Sequence, residues 1–182
     1  MVKIRKQVYF FLLFFLLFIT TPAFANIETE FNNIDESINY KSTKKVTKWS
    51  SVDWYEYIKH IEKDGQASYF LKMTIYGPGM QEVIFHENAE FKVDDKVFVI
   101  NKVPQQSPNK YEKPSRGMVF AIFDIPQDLL SAIKDSKKQL TITFTFNNKK
   151  PLITKIPDQN RLEMIEMASL AREDYKQVKD RK

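Results

Sequence analysis

The chain has 182 residues, with 28 Lys+Arg against 23 Asp+Glu and no cysteine. Removing the strongly apolar first 25 residues leaves 157, carrying 25 basic and 23 acidic side chains, because Lys3, Arg5 and Lys6 go with the removed segment. That balance is no footprint of a nucleic-acid binder, and the lack of cysteine excludes disulfide frameworks, thiolate zinc sites and cysteine nucleophiles.

At the start, three cations precede an apolar run over residues 8–19 and then Pro22-Ala23-Phe24-Ala25. This is the charged, apolar, small-residue order of a secretory signal peptide. The run is shorter than the roughly 20 residues a membrane span needs, and Pro22 breaks a helix just before the small-residue site. Residues 1–25 are therefore expected to be a signal peptide cleaved after Ala25, which delivers a secreted, periplasmic or cell-surface protein. An uncleaved segment would instead tether the domain to the outer face of a membrane. No cysteine is available for a lipid anchor.

Residues 26–48 are polar, with isolated apolar positions and the basic cluster Lys41, Lys44, Lys45 and Lys48. They read as a partly ordered lead-in to a single β-rich domain over 49–182. From Trp49 to Ile156 the pattern has a period of two, broken by turn residues, as in antiparallel strands with one buried face. Residues 54–61 form an apolar-rich strand, and Lys63-Asp64-Gly65-Gln66 supplies a hairpin turn. Beyond it Tyr69, Leu71, Met73 and Ile75 alternate with Phe70, Lys72, Thr74 and Tyr76. Residues 82–85 predict a short strand, and 91–93 with 97–103 a tight hairpin across Asp94-Asp95. The nearly continuous apolar run 118–125 predicts a strand covered on both faces.

Pro126 suits the first turn of a helix, and Leu129, Leu130 and Ile133 follow at helical spacing through Asp135. Residues 139–146 are the clearest strand, with Leu140, Ile142, Phe144 and Phe146 on one face and three threonines on the other. The last strand spans 152–156. After Pro157 the period becomes about 3.6, which predicts a C-terminal helix over 158–180, with Asp158 as its N-cap. Met164, Ala168, Ala171, Tyr175 and Val178 form its apolar stripe, and Leu162, Ile165 and Leu170 widen it. The expected fold is mainly β: an antiparallel β-sandwich or open barrel of about seven or eight strands, with a short helical insert and a C-terminal α-helix. A two-layer α+β sheet is the alternative.

Motifs for chemistry are sparse. His60 and His86 share no metal-ligand spacing with a carboxylate, so no metal or cofactor is expected. No Gly-x-Ser-x-Gly elbow occurs, and four glycines do not make a phosphate-cradling loop. Paired carboxylates such as Asp94-Asp95 fall in strand-linking turns, which favour Asp for backbone reasons. The chain is therefore not expected to be an enzyme.

Two segments suggest binding. Trp49, Trp54, Tyr55 and Tyr57 offer large amphipathic contact area, or else an edge strand whose alternate aromatics enter the core. The long, proline-bearing connection over residues 102–117 carries Lys110, Tyr111, Lys113 and Arg116, and is a recognition loop or a plain surface excursion. The leading functional expectation is a non-catalytic binding module, uncharacterised as to partner, which is a protein or glycan of the cell envelope or extracellular space. The alternative is a carrier with an apolar pocket for a lipid or small hydrophobic ligand, lined by Phe120, Phe123, Phe144 and Phe146. A carrier needs an interior cavity, and an interaction module is packed solid.

Overall fold

The computed structural model describes residues 27–46, 52–77, 79–104, 109–113 and 116–176. The expected signal peptide and Trp49 lie outside the described residues. Among the described residues, ten strands form two antiparallel sheets with no closed barrel, and the fold is a β-sandwich with a C-terminal helix. The strands are β1 (Ile27–Phe31), β2 (Ile38–Val46), β3 (Val52–Ile61), β4 (Ala67–Gly77) and β5 (Phe85–Val93). They continue with β6 (Lys96–Asn101), β7 (Asn109–Lys113), β8 (Arg116–Asp124), β9 (Leu140–Phe146) and β10 (Leu152–Ile156). One sheet has six strands in the order β1-β2-β3-β4-β8-β7, and the other has four in the order β10-β9-β5-β6. The helices are α1 (Gln127–Asp135) and α2 (Asp158–Ser169).

Local chemistry explains the elements that match expectation. Gly65 takes φ 90° in the β3–β4 turn, where Asp64 Oδ1 accepts the Gln66 amide at 2.9 Å. Asp94 takes φ 53° in the two-residue β5–β6 turn, and its Oδ1 accepts the Lys138 amide at 2.9 Å. Pro126 stands at the N-cap of α1, which buries Leu129, Leu130 and Ile133.

In the six-stranded sheet, directly opposed residues share a face. The register Tyr40↔Lys59↔Tyr69 and Ser42↔Tyr57↔Leu71↔Phe123 defines one inner face across β2, β3, β4 and β8. The four-stranded sheet covers its β4–β8 half, where Phe85 meets Phe123, and α2 covers the β2–β3 half. Leu71, Met73, Ile75, Phe91, Ile142 and Phe144 are all fully buried between the layers.

Several expectations are corrected. The lead-in contains β1 and β2, which extend the sheet. Instead of a strand over 82–85, Gly79 at φ 72° opens a 3₁₀ turn (Met80–Glu82), and β5 begins at Phe85. The 118–125 run is covered on one face only: Val119, Ala121 and Phe123 are buried, whereas Met118, Phe120 and Ile122 are half-buried. The connection over 102–117 is no simple loop, because β7 within it pairs with β8. Pro157, not Asp158, occupies the N-cap of α2, with no side-chain cap bond.

The C-terminal helix also ends early, at Ser169. Three inner-face side chains take carbonyls at its end and just beyond it. Lys59 Nζ donates to Ala168 O at 2.9 Å and Leu170 O at 2.6 Å, the Tyr40 hydroxyl to Ala171 O at 2.8 Å, and the Tyr69 hydroxyl to Ala168 O at 3.4 Å. A cation at a helix C-terminus also complements the macrodipole. The ammonium of Lys59 lies 5.4 Å from the Tyr69 ring centroid, and burial lowers its pKa, partly offset by the Asp174 carboxylate. Lys59→Met keeps the apolar stem and removes both bonds. We expect a loss of about 1–3 kcal/mol, read from the urea midpoint.

Candidate functional site

The sheet's outer face is built from the alternate residues of the same strands. One row across β3, β4 and β8 is Trp54, Thr74 and Phe120, and the next is Glu56, Lys72 and Ile122. A third is Ile58, Phe70 and Asp124, while Tyr76 and Met118 flank the first row on its other side. Trp54, Ile58, Phe70, Tyr76, Phe120 and Ile122 are each half-buried. Both helices and the second sheet pack on the inner face, so none of the described elements is stacked on this one.

Polar groups punctuate the apolar surface. Lys72 Nζ lies 2.9 Å from Glu56 Oε2 and 5.5 Å from the Phe120 ring centroid, so one cation joins an ion pair to an aromatic face. Thr74, between Trp54 and Phe120, is 2% exposed, and its Oγ1 has no hydrogen-bond partner. Lys41, in register with Ile58, pairs with Glu30. The arrangement offers broad apolar contact around the Lys72–Glu56 pair, with Asp124 exposed at the end of the third row.

The structure separates the residues singled out from sequence. Trp54 stands on the outer face, half-buried. Tyr55 and Tyr57 point the other way and are each 1% exposed, so neither presents a surface to a partner. The strand's period of two dictates that split. Lys110 is in register with Met118, Tyr111 with Gly117 and Lys113 with Arg116; the side chains of these four sequence candidates lie outside the described residues. Backbone register thus brings the Lys110 position to the same face as Trp54 and Phe120.

Sequence reasoning missed a buried polar cluster under α2. The helix turns Asn160, Glu163, Met164 and Met167 to the sheet, rather than the purely apolar stripe, and leaves Leu162 exposed. Glu163 Oε2 accepts from Ser42 Oγ at 2.5 Å and from Asn160 Nδ2 at 3.0 Å, while Gln159 Nε2 donates to Oε1 at 3.3 Å. At 2% exposure this carboxylate is shut away from any substrate, and its partners make it a fastening between helix and sheet.

The remaining candidates are modest. His60 Nδ1 lies 2.8 Å from Asn39 Oδ1, His86 is exposed, and no group of three His, Asp or Glu among the described residues is placed to hold a metal ion. A cleft of about 400 Å³ lies between α1 and α2, lined in part by Tyr69, Leu130, Lys134 and Ile165. A shallower hollow of about 710 Å³ lies between hairpin ends and is lined by Asp35, Ser37, His60, Glu62, Lys63 and Asp64. No helix among the described residues is long and apolar enough to cross a membrane. Comparison with family models, characterised proteins and solved structures returns no match. The functional reading therefore rests on geometry.

Proposed function

We propose that the mature chain is a non-catalytic interaction module acting outside the cytoplasmic membrane, with the outer face of the six-stranded sheet receiving its partner. The observation that carries this reading is the half-buried group Trp54, Ile58, Phe70, Tyr76, Phe120 and Ile122, spread over three adjacent strands of a sheet whose other face receives the second sheet and α2. Trp and Tyr are the side chains that most often anchor interfaces, and an apolar centre with paired charges is the anatomy of a protein interface. The aliphatic Ile58 and Ile122 add contact area that suits a protein surface more than a sugar ring.

The competing reading, a carrier, receives less support. Of the side chains that would line its pocket, Phe120 belongs to the outer face. Phe123 and Phe144 pack with ring centroids 5.6 Å apart, and Phe85 and Phe146 with theirs 4.8 Å apart. These rings occupy the space between the sheets rather than enclosing a pocket there.

The test uses the mature chain, from Asn26, immobilised against an envelope extract of its producer and, separately, against purified cell-wall glycan. Trp54→Ala and Phe120→Ala are each expected to weaken capture of the protein partner more than tenfold. Ile153→Ala, at a 51% exposed position on the second sheet, leaves it unchanged. Equal capture by all four chains, or capture by glycan alone, would overturn the assignment.

A further inference from the structure

Contacts at the two ends of α1 and α2 set how the helices lie beside one another. At one end Arg161 Nη1, in the first turn of α2, donates to Ser136 O, just past α1, at 3.4 Å. At the other, Tyr69 of β4 reaches both helices. Its carbonyl accepts the Ile125 amide at 2.9 Å, immediately before α1, and its hydroxyl donates to Ala168 O of α2 at 3.4 Å. α1 therefore runs away from Tyr69 and α2 runs back toward it, and the cleft of about 400 Å³ lies between the two.

The cleft has an apolar lining of Tyr69, Leu130, Ile165 and Ala168, of which Tyr69 and Ile165 are half-buried against the core. The hydroxyls on its walls are taken up by their own helices: Ser131 Oγ donates to Gln127 O at 3.0 Å, and Ser169 Oγ to Glu166 O at 2.7 Å. Glu166, the one acid there, is not free either. Lys134 differs. It is exposed, and it enters none of the ion pairs among the described residues. It follows Leu130 by four residues on the same face of α1, so an unpaired cation borders the apolar lining.

We propose that this cleft binds a medium-chain alkyl carboxylate, with the chain laid against Tyr69, Leu130 and Ile165 and the carboxylate paired with Lys134 Nζ. Small-molecule sites combine a concave apolar lining with a few orienting polar groups, at volumes from about 300 Å³ upward. Charge selects the head group, because a carboxylate gains a partner at Lys134 whereas an alkylammonium meets a like charge. Length follows from the helix: Gln127 and Lys134, both on the cleft wall, stand about two turns apart, or about 10 Å, the span of roughly eight extended carbons. Tyr69 belongs to the inner face of the six-stranded sheet, opposite Trp54 and Phe120. The ligand site and the outer surface are thus independent of one another.

Three probes of one chain length test the proposal on the protein: sodium octanoate, octanol and octylammonium chloride. Octanoate is expected to bind saturably with a Kd below about 1 mM, shifting the NMR signals of Tyr69, Leu130 and Ile165. Octanol should bind about tenfold more weakly, and octylammonium more weakly still. Lys134→Gln should bring octanoate down to the affinity of octanol with an unchanged circular dichroism spectrum. Lys137→Gln, at an exposed lysine outside the cleft lining, should leave octanoate binding as it was. Ile165→Glu, which sets a carboxylate in the lining, should abolish it; the head-group series and Lys134→Gln decide the matter if that variant fails to fold. No saturable binding of octanoate, equal binding of the three probes, an unaltered affinity in Lys134→Gln, or signals that shift around Trp54 and Phe120 rather than Tyr69 each overturn the proposal.

Discussion

Taken from pH 9 toward pH 12, the protein is expected to lose stability steeply and unfold, and the cause lies in three tyrosines on the inner face of the six-stranded sheet. Tyr40, Tyr55 and Tyr57 are each at most 1% exposed. Burial raises all three pKa values. That of Tyr40 is pushed up to about 12, with Asp174 and Glu173 adding to the effect; Glu163 adds to that of Tyr55, and Tyr69 to that of Tyr57. In the unfolded chain these phenols ionise near 10. Above that pH the unfolded state releases protons that the folded state retains, so stability that is complete below about pH 10 drains away as pH rises toward the folded values. Each tyrosine contributes about 1.4 kcal/mol per pH unit in that window, and three together about 4. Lys59 acts in the opposite sense. Its lowered pKa makes stability rise with pH up to the ordinary lysine value of 10.5, above which it adds nothing further. Urea midpoints at pH 8, 10 and 11, followed by both circular dichroism and tyrosinate absorbance, check the sign. Buried tyrosines should ionise only as the fold is lost. Tyr57→Phe is a sharper version, because its hydroxyl has no hydrogen-bond partner. It should cost no stability at pH 8 and flatten the alkaline slope by about a third.

The elements legible in the sequence are those whose burial is set by their own alternation. β9 presents Leu140, Ile142, Phe144 and Phe146 to the core with threonines opposite, and β10 spans the expected residues between two prolines. A pattern so regular admits one register. β2 defeats the same reasoning, because its inward positions are Ile38, Tyr40, Ser42 and Lys44. A polar side chain turns inward there only because α2 supplies Glu163 and Asn160 to receive it, a fact of tertiary structure that local pattern does not contain. The early end of α2 has the same origin, since helical periodicity continues past Ser169 while carbonyl bonds from three different strands stop the helix. β7 escaped notice as a polar edge strand among prolines. The outer face was half visible: Phe70, Lys72, Thr74 and Tyr76 appear in sequence as the mixed face of β4. The continuous run of β8 pointed to cover on both sides, whereas its outward residues remain half open in an antiparallel sheet with a single layer beneath it.

Phe144→Ala is expected to be among the most damaging single substitutions in the chain, and its size also separates the two functional readings. The ring is fully buried, with the rings of Phe123 at 5.6 Å and Phe85 at 6.2 Å between centroids, the latter edge-on. In a packed interior, truncation removes the transfer energy of the ring and leaves a void that neighbours held by two sheets cannot fill, at a cost of about 3–5 kcal/mol. That is a large share of the 5–15 kcal/mol typical of a whole domain. Were Phe144 instead the wall of a ligand cavity, its far side would face space or ligand, few contacts would be lost, and the unliganded protein would tolerate the change with less than about 1 kcal/mol. Denaturant unfolding of the delipidated protein and its Phe144→Ala variant distinguishes these outcomes. Phe120→Ala supplies the internal comparison, since its ring lies on the half-open outer face. It should cost distinctly less stability than Phe144→Ala while carrying the larger loss of partner binding. A reversal of that order would return the hydrophobic interior, rather than the sheet's outer surface, to the centre of the functional question.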